Sequence, residues 1–209
     1  MAETKRIGII GKGNVGSALE QGWRQAGYDV RAVGRDPDRV QQVADWAQVV
    51  VLAVPFGERH NAFRAMGGAV QGKVVVDVTN AATSEGFAGS TERSGAEEVQ
   101  AEHPDVRVVK AFNTVFAQNM PTGTAGGETL TLFACGDDEG ARRTVLELGQ
   151  DLGFDPVDAG PLENARWLET MGYFNITLGY QLGQGTETGF RYVHPHKTVR
   201  EQQVAQQQV

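Results

Sequence analysis

Short apolar runs alternate along the chain with segments of helical periodicity. Runs rich in Val, Ile and Leu that are only a few residues long predict buried strands. Segments with apolar residues three and four positions apart predict amphipathic helices. The predicted strands are 6–10, 28–33, 48–55, 73–78, 106–111, 129–135 and 154–158, and the predicted helices are 15–26, 38–44, 57–66, 94–102 and 137–152.

The order of these elements predicts the fold class. Strands that alternate with helices indicate βαβ units and a parallel sheet. Because the strand runs are continuously apolar and do not alternate with polar residues, both faces of each strand are expected to be covered. We therefore predict an α/β fold with a doubly wound, mostly parallel sheet, whose ligand crevice lies beyond the carboxyl ends of the strands.

A glycine-rich turn follows the first predicted strand and precedes an amphipathic helix. This context and the spacing G-x-G-x-x-G are typical of a Rossmann dinucleotide-binding domain. The first glycine permits the tight turn, the second lets the backbone approach a pyrophosphate, and the third lets the helix pack closely on its strand. Unpaired N–H groups at the helix N-terminus stabilise phosphate charge. The predicted cofactor-binding residues of the turn are Gly11, Lys12, Gly13, Asn14, Val15 and Gly16. The alternative is a strand-turn-helix unit without a ligand.

The residues after the second strand distinguish NADP from NAD. NAD-binding chains usually carry an acidic residue there for the ribose 2′-hydroxyl, whereas NADP-binding chains offer arginine to the 2′-phosphate. Asp36 stands at the NAD-like position, but Pro37 follows it, and this pair predicts a helix N-cap and its first helical residue. Arg35 and Arg39 can both reach a phosphate, and Lys12 adds a third cation, unless these are solvated surface charges. We predict NADP; whether Lys12 contacts the 2′-phosphate or the pyrophosphate stays open.

Small apolar and amide side chains follow three further strands. The predicted nicotinamide-binding residues are Ala53, Val54, Pro55, Asn80, Ala111 and Asn113. Together they would form a slot for the ring and its carboxamide, and no strong acid or base is expected among them, so no catalytic residue is assigned. Pro55 and Asn80 could instead be ordinary turn residues. The loop 80–91 is long enough to be a lid over this slot, or else a disordered connection.

The last helical segment, 162–183, is apolar on more than one side. Its stripe comprises Leu162, Ala165, Leu168, Met171, Ile176, Leu178 and Leu182. Trp167, Phe174 and Tyr180 fall elsewhere on the helix, so one domain cannot cover every apolar side and a second subunit is expected. The alternative is a helix broken at Gly172 within one subunit. We expect the following loop, 183–192, to close on an acceptor. We predict a Rossmann domain over 1–160 and a helical dimerisation segment with a polar tail over 161–209.

The composition excludes several classes of partner. The chain has 209 residues and a formal net charge of −7, which argues against nucleic acid or an anionic membrane. The single cysteine, Cys135, is expected to be a buried strand residue, which permits a reducing cytoplasm. Neither a signal peptide nor a membrane span is expected, and we predict a cytoplasmic location. His103, His194 and His196 lack the additional ligands of a zinc site, so no metal is predicted.

Several motifs together resemble one family of reductases. They are the turn at 11–16, Gly34-Arg35, Ala53-Val54-Pro55, the segments 76–80 and 110–114, Cys135-Gly-Asp-Asp, and 158–169. They resemble the NADPH-dependent reductases typified by the deazaflavin (coenzyme F420):NADP oxidoreductases, over most of the chain. They are also similar to the cytoplasmic reductase domain of six-transmembrane ferric reductases. The resemblance implies an NADP-binding Rossmann domain, a small C-terminal helical domain, a homodimer, and hydride transfer to a ring system stacked over the nicotinamide.

The chain departs from this family at two places. Lys12 stands where the family usually has Thr or a similar small residue, and Phe112-Asn113-Thr114-Val115 replaces a His-Thr-Ile-Pro-like sequence of the deazaflavin enzymes. We predict an NADP-dependent oxidoreductase that transfers a hydride between NADP(H) and a flavin- or deazaflavin-like small-molecule acceptor. The alternatives are an imine or carbonyl reductase of a small metabolite and a non-catalytic NADP sensor. The sequence does not determine the acceptor, its pathway or the stereochemistry.

Overall fold

A seven-stranded sheet runs through the centre of the computed structural model, which describes residues 5–83, 86–90 and 92–193. Its strands are β1 (Arg6–Ile10), β2 (Asp29–Val33), β3 (Val49–Leu52), β4 (Val74–Asp77), β5 (Arg107–Ala111), β6 (Thr131–Cys135) and β7 (Asp155–Asp158). The helices are α1 (Asn14–Gln25), α2 (Pro37–Trp46), α3 (Arg59–Met66), α4 (Gly95–Glu102), α5 (Glu139–Gln150) and α6 (Ala165–Ile176). Short 3₁₀ turns lie at Phe56–Glu58, Gly67–Val70, Ala117–Asn119 and Leu162–Asn164. Two small hairpins pair Ala82–Thr83 with Gly86–Phe87 and Thr124–Ala125 with Glu128–Thr129.

The strand order places the crevice of the sheet. The order is β7-β6-β5-β4-β3-β1-β2, and β1 to β5 are parallel to one another. β6 is antiparallel to β5, whereas β7 is parallel to β6. The prediction of a doubly wound, mostly parallel sheet is therefore confirmed. β2 follows β1 in the chain and lies on one side of it, and the chain then crosses back to place β3 on the other side. Because the strand order reverses there, the crevice lies beyond the carboxyl ends of β1 and β3.

Helices cover both faces of the sheet. Val49 and Val51 pack in the layer that contains α1 and α5, while Val50 and Leu52 face the layer formed by α2, α3, α4 and α6. All four valine and leucine side chains are buried. This two-sided burial explains why the strand sequences are continuously apolar.

Two local predictions about the sheet and its first connections are confirmed. Asp36 is the N-cap of α2, and its carboxylate accepts a hydrogen bond from the backbone N–H of Arg39 at 3.4 Å, with Pro37 as the first helical residue. Cys135 is fully buried on β6. Burial raises the pKa of its thiol to about 12, so this cysteine is a packing residue and not a nucleophile.

The predicted helix over 162–183 is wrong in its extent. A 3₁₀ turn at Leu162–Asn164 precedes α6, and beyond Ile176 the chain continues as a π-helical turn, Thr177–Gln181. Gly172 lies inside α6, so the alternative of a break at that glycine is also wrong. Gly179 lies in the π turn, where a Cβ atom would be 2.5 Å from Cζ of Phe116. The π-helical turn, which is wider than a turn of α-helix, therefore lies where the backbone at Gly179 approaches the ring of Phe116.

An ion pair joins α4 to α6. The guanidinium of Arg166 donates to both carboxylate oxygens of Glu97, at 2.8 and 2.6 Å. Glu97 also accepts from the backbone N–H of Ser94 at 2.7 Å and completes a capping box with that residue. Burial by itself raises the pKa of Glu97, but the hydrogen bonds from Arg166 and Ser94 outweigh it and lower that pKa to about 2.

Replacement of Glu97 by Gln is expected to lower the free energy of unfolding at pH 7 by about 1–3 kcal/mol. Because the folded-state pKa lies below its ordinary value of 4.5, the contribution of the charge is complete above that pH. It is lost as the pH falls toward the folded value. Urea unfolding of both proteins between neutral pH and about pH 3 measures the difference, which should shrink in the acidic range. A difference that does not change with pH would contradict a role for the carboxylate charge.

Candidate functional site

The glycine turn lies at the switch point of the sheet, between β1 and α1. Gly11 has φ of +117°, and a Cβ atom at this position would lie 1.9 Å from the carbonyl oxygen of Ala53. A Cβ atom at Gly16 would lie 2.0 Å from the carbonyl oxygen of Gly11. At Gly13, in contrast, a Cβ atom would meet no atom within 4 Å. Two glycines of the motif thus permit close packing, whereas the middle one leaves open space.

The N-terminus of α1 opens into this turn. Gly13 is the N-cap residue, no side chain caps the helix, and its first turn carries no acidic residue. The first backbone N–H groups of a helix have no partner within the helix itself. Together with the positive end of the helix dipole, they form an environment that stabilises an anion.

A cavity of about 460 Å³ adjoins the turn. Its size lies within the range of small-molecule sites, about 300–1,000 Å³. Of the predicted cofactor-binding residues, those that line it are Gly11, Lys12, Gly13, Arg35, Ala53, Val54 and Pro55. The carboxyl ends of β1, β2 and β3 therefore meet at one cavity, where the topology of the sheet places the crevice.

Three charged side chains line this cavity. Lys12 and Arg35 are exposed, and neither forms an ion pair with another residue in the described part of the chain. The third is Glu58, whose carboxylate accepts a hydrogen bond from the Asn61 amide at 2.9 Å. Two cations that have no ion-pair partner among the described residues thus stand beside the open turn. Arg39 is exposed on α2 but does not line the cavity.

The remaining predicted residues lie around the cavity or at a second location. Asn14, Val15 and Gly16 form the first turn of α1 without lining the cavity. Asn80 and Asn113 lie together at the ends of β4 and β5, where Nδ2 of Asn113 donates to Oδ1 of Asn80 at 3.2 Å.

The predicted residue Ala111 is the last of β5. It is fully buried in the core between the sheet and α1 and is opposite Ala134 of β6. It does not line the cavity.

Helix α6 packs directly on the asparagine pair. Nδ2 of Asn113 also donates to the carbonyl oxygen of Leu168 in α6, at 2.7 Å. A Cβ atom at Gly172 would lie 2.4 Å from Oδ1 of Asn80 and 2.6 Å from Nδ2 of Asn113. The missing side chain of Gly172 therefore allows this approach. Among the described residues, Oδ1 of Asn113 has no hydrogen-bond partner although it is buried.

The backbone just before Asn113 is strained. Phe112 has φ of +64°, and within the described residues it is the only non-glycine with a positive φ. Its fully buried ring makes edge contacts with Trp23 and Phe154, at centroid distances of 5.6 and 6.0 Å. This packing holds a conformation that costs about 1–3 kcal/mol in isolation. The strained turn sets the direction in which Asn113 leaves β5.

Charged groups lie at the same sheet edge, so the expectation that no strong acid or base occurs there is wrong. Lys110 of β5 is fully buried, and its ammonium donates to Asp77 at 3.2 Å and to the carbonyl oxygen of Thr79 at 2.6 Å. The ammonium is also 3.1 Å from the carboxylate of Glu169 in α6. Glu169 in turn accepts from the first two backbone N–H groups of α4, at 3.0 and 3.2 Å. These groups are paired with one another and are closed to solvent.

The structure describes the predicted loop 183–192 completely and the predicted lid 80–91 only in part. The lid over 80–91 includes residues 84, 85 and 91, which lie outside the described residues. Within it, Phe87 contacts Tyr173 of α6 at a centroid distance of 5.1 Å. The loop 183–192 is anchored along its length: Asn119 donates to the carbonyl oxygens of Thr186 and Thr188 at 3.0 and 3.1 Å. His194, His196 and the glutamine-rich tail also lie outside the described residues.

The C-terminal helix leaves large apolar side chains uncovered. Trp167 is 60% exposed, Phe174 52% and Tyr180 68%. Met171 is half-buried. The prediction that the three aromatic residues lie away from the apolar stripe agrees with their exposure, but Leu182, which was assigned to that stripe, is itself 62% exposed.

Seven residues that line the cavity are not among the predicted cofactor-binding residues. They are Ile10, Gly34, Val40, Glu58, Asn61, Ala62 and Ala65. The predicted residues of this region follow directly after a strand and end at Pro55, whereas α3 continues along the cavity. Ala62 and Ala65 are small residues three positions apart on one face of α3. This spacing is the sequence signal that could have identified α3 as one side of the cavity.

Two searches of the described residues gave negative findings. No group of three or more His, Cys, Asp and Glu side chains in these residues could hold a metal ion. None of the helices in the described ranges is both long enough and apolar enough to span a membrane.

Comparisons with known proteins identify relatives of the chain. Residues 6–48 match the family model described as NADP oxidoreductase, coenzyme F420-dependent. The metalloreductase STEAP3 of Rattus norvegicus is 29% identical over 81% of this chain, which spans 36% of that relative. The chain thus corresponds to about a third of the length of the curated relatives that it matches.

Solved structures extend the comparison. A protein from Arthrobacter sp. FB24 assigned as an F420-dependent NADP reductase has a TM-score of 0.81 and 27% identity, covering 90% of this chain and 99% of that one. A hypothetical protein, SMa0349 of Sinorhizobium meliloti, has a TM-score of 0.64 and 32% identity, covering 77% and 87%. Imine reductases at 15–18% identity share the fold alone. The resemblance predicted from the sequence is confirmed: the chain is related to the F420-type NADP oxidoreductases and the STEAP metalloreductases.

Replacement of Gly13 by Val is expected to abolish NADPH binding and to leave the fold intact. The space at Gly13 is open in the protein, so a side chain there obstructs a ligand without disturbing the packing. The matched variant Gly16→Val should instead destabilise the protein, since its Cβ meets the backbone of Gly11. NADPH fluorescence titration and thermal unfolding of both variants separate the two effects. Undiminished NADPH binding by folded Gly13→Val would contradict a cofactor at the turn.

Proposed function

We propose that this protein is an NADP-dependent oxidoreductase that transfers a hydride between NADP(H) and a flavin- or deazaflavin-like acceptor. The observation that supports it most is the combination of an open glycine turn, an uncapped helix N-terminus and two exposed cations, unpaired within the described part of the chain, around one cavity. The relatives named for NADP and for metal reduction support the same class of chemistry.

The residues of the cavity fit the charge distribution of NADP. In the proposal, the pyrophosphate lies over Gly13 and accepts hydrogen bonds from the first N–H groups of α1. Arg35 holds the 2′-phosphate with charge-assisted hydrogen bonds, and Lys12 stands within the same cavity to contact either phosphate group. Arg39 remains a candidate for the 2′-phosphate if its exposed side chain turns toward Arg35.

The nicotinamide end is proposed to lie toward the carboxyl ends of β3 to β5. When bound, NADPH supplies the hydride, so the protein has to orient two rings and exclude water. Ala53, Val54 and Pro55 provide a surface of small side chains, and Asn80 and Asn113 provide amide groups beyond it. The acids and the base at this edge are paired with one another, so no proton donor is assigned. That arrangement suits direct hydride transfer to a flavin-type ring.

A planar aromatic acceptor is the class that the surrounding side chains support. Phe87 and Tyr173 are in contact where α6 meets the hairpin after β4, and rings of this kind stack with a flavin or deazaflavin. The name of the matching family points to F420, while Phe112-Asn113-Thr114-Val115 departs from the deazaflavin enzymes. An imine or carbonyl substrate is supported only by fold likeness. A cytoplasmic location stays part of the proposal.

The acceptor is tested by NADPH oxidation. Purified protein is mixed with NADPH and, in separate reactions, with FMN, FAD, riboflavin, coenzyme F420 or a ferric chelate. We expect turnover with at least one flavin or deazaflavin ring, and Gly13→Val supplies the inactive control. Tight NADPH binding without turnover of any acceptor would favour the NADP-sensor alternative.

Replacement of Arg35 by Ala is expected to weaken NADPH binding about tenfold or more and to leave NADH binding unchanged. The lost contact is a charge-assisted hydrogen bond to a phosphate that NADH does not carry, worth about 1.5–3 kcal/mol. Titration calorimetry with both dinucleotides measures the preference. Arg31→Ala is the matched control, because Arg31 is exposed on β2 and stacks over Trp46 at 4.0 Å. Equal losses for both dinucleotides would contradict the assignment.

The exposed aromatic side chains of α6 support a homodimer as part of the proposal. Several large, mostly exposed aromatic side chains on one short segment are typical of a surface that binds a partner. Phe174→Asp, which would place an unpaired charge in the contact, should convert a dimer into a monomer and reduce turnover. Glu163→Ala, at an exposed position just before α6, is the control. Light scattering that gives the monomer mass for the wild type at micromolar concentration would rule the dimer out.

A further inference from the structure

The amide of Asn61 has a fixed orientation in the cavity. Asn61 lies on α3, and its Nδ2 is 2.9 Å from the Glu58 carboxylate, one helical turn earlier. A carboxylate can only accept hydrogen bonds, so the nitrogen of the amide, and not its oxygen, must face Glu58. Asn61 therefore presents its carbonyl oxygen and one remaining N–H to a ligand.

The position of a base in the cavity follows from the two phosphate positions of the proposed NADP site. If the pyrophosphate lies at Gly13 and the 2′-phosphate at Arg35, the ribose is beside Arg35. The base is attached to the ribose carbon next to the one that carries the 2′-phosphate, so it lies in the same part of the cavity. Among the cavity residues that remain for it are the apolar side chains of Val40, Ala62 and Ala65, together with Asn61 and its partner Glu58.

We infer that Asn61 selects adenine over 6-oxopurines, an inference that rests on the proposed function. Its Oδ1 accepts a hydrogen bond from the 6-amino group, and its free N–H donates to a neighbouring ring nitrogen, the pairing that asparagine makes with adenine in nucleic acids. Hypoxanthine carries a carbonyl oxygen at the same position, which sets two acceptors against each other. Glu58 is a positioning residue, because it prevents the amide from turning its nitrogen toward that oxygen.

The test compares NADPH with reduced nicotinamide hypoxanthine dinucleotide phosphate, whose base carries an oxygen in place of the 6-amino group and a proton on the adjacent N1. Titration calorimetry gives both dissociation constants for the wild type, Asn61→Ala, Glu58→Gln and the control His60→Ala. His60 is exposed on the same helix and pairs with Glu102 at 2.8 Å, outside the cavity. Asn61 is exposed on α3, so alanine there is compatible with the helix.

We expect the wild type and His60→Ala to prefer NADPH by about tenfold. Asn61→Ala should lose most of this preference, chiefly through weaker NADPH binding. Glu58→Gln should lose part of it through tighter binding of the hypoxanthine form, because a glutamine amide can donate as well as accept and so releases the orientation of Asn61.

The outcomes separate this inference from the proposed function. Equal affinity of the wild type for the two dinucleotides, or a full preference retained by Asn61→Ala, would overturn the role of Asn61 while the NADP site stands. An unchanged preference in Glu58→Gln would overturn the positioning role of Glu58. Failure of the wild type to bind either dinucleotide would overturn the proposed function itself.

Discussion

The buried ammonium of Lys110 joins the sheet to the C-terminal helix. It lies between the carboxylates of Asp77 on β4 and Glu169 on α6, and all three side chains are closed to solvent. Charges can be buried at such a place only when each has partners, and removal of one partner from a buried pair costs about 3–5 kcal/mol. Because Glu169 also binds the N-terminus of α4, one cluster fixes two helices over the ends of the strands.

The position of α6 brings its backbone onto the asparagine pair. Contact at this distance requires Gly172 in the helix, since a side chain there would push α6 away from Asn80 and Asn113. It also requires the left-handed backbone conformation of Phe112, which directs Asn113 toward α6. The strain at Phe112 is sustained by the aromatic contacts around its ring. Packing of the core on one face of the sheet is in this way connected to the geometry at its carboxyl edge.

The glycine turn after β1 is built on a different principle. Three positions of the turn after β1 lack a side chain. At Gly11 and Gly16 this allows the backbone to pack closely, and at Gly13 it leaves open space in front of the helix N-terminus. Lys12 and Arg35 beside it are exposed and form no ion pair within the described residues. The proposed phosphate site therefore relies on the backbone and two side chains without a buried charge, in contrast to the paired and inaccessible charges around Lys110.

The sequence by itself determined those features that depend on neighbours along the chain. The strand runs, the glycine turn, the N-cap at Asp36 and the burial of Cys135 follow from local spacing and conformational preference. The tertiary structure decided the features that join distant segments: the pairing of Lys110 with Asp77 and Glu169, the contribution of Asn61 to the cavity, and the end of α6 at Ile176. The sequence carries no local signal for these, because the energy of a buried charge or a close helix contact depends on which side chains other segments of the fold place beside it.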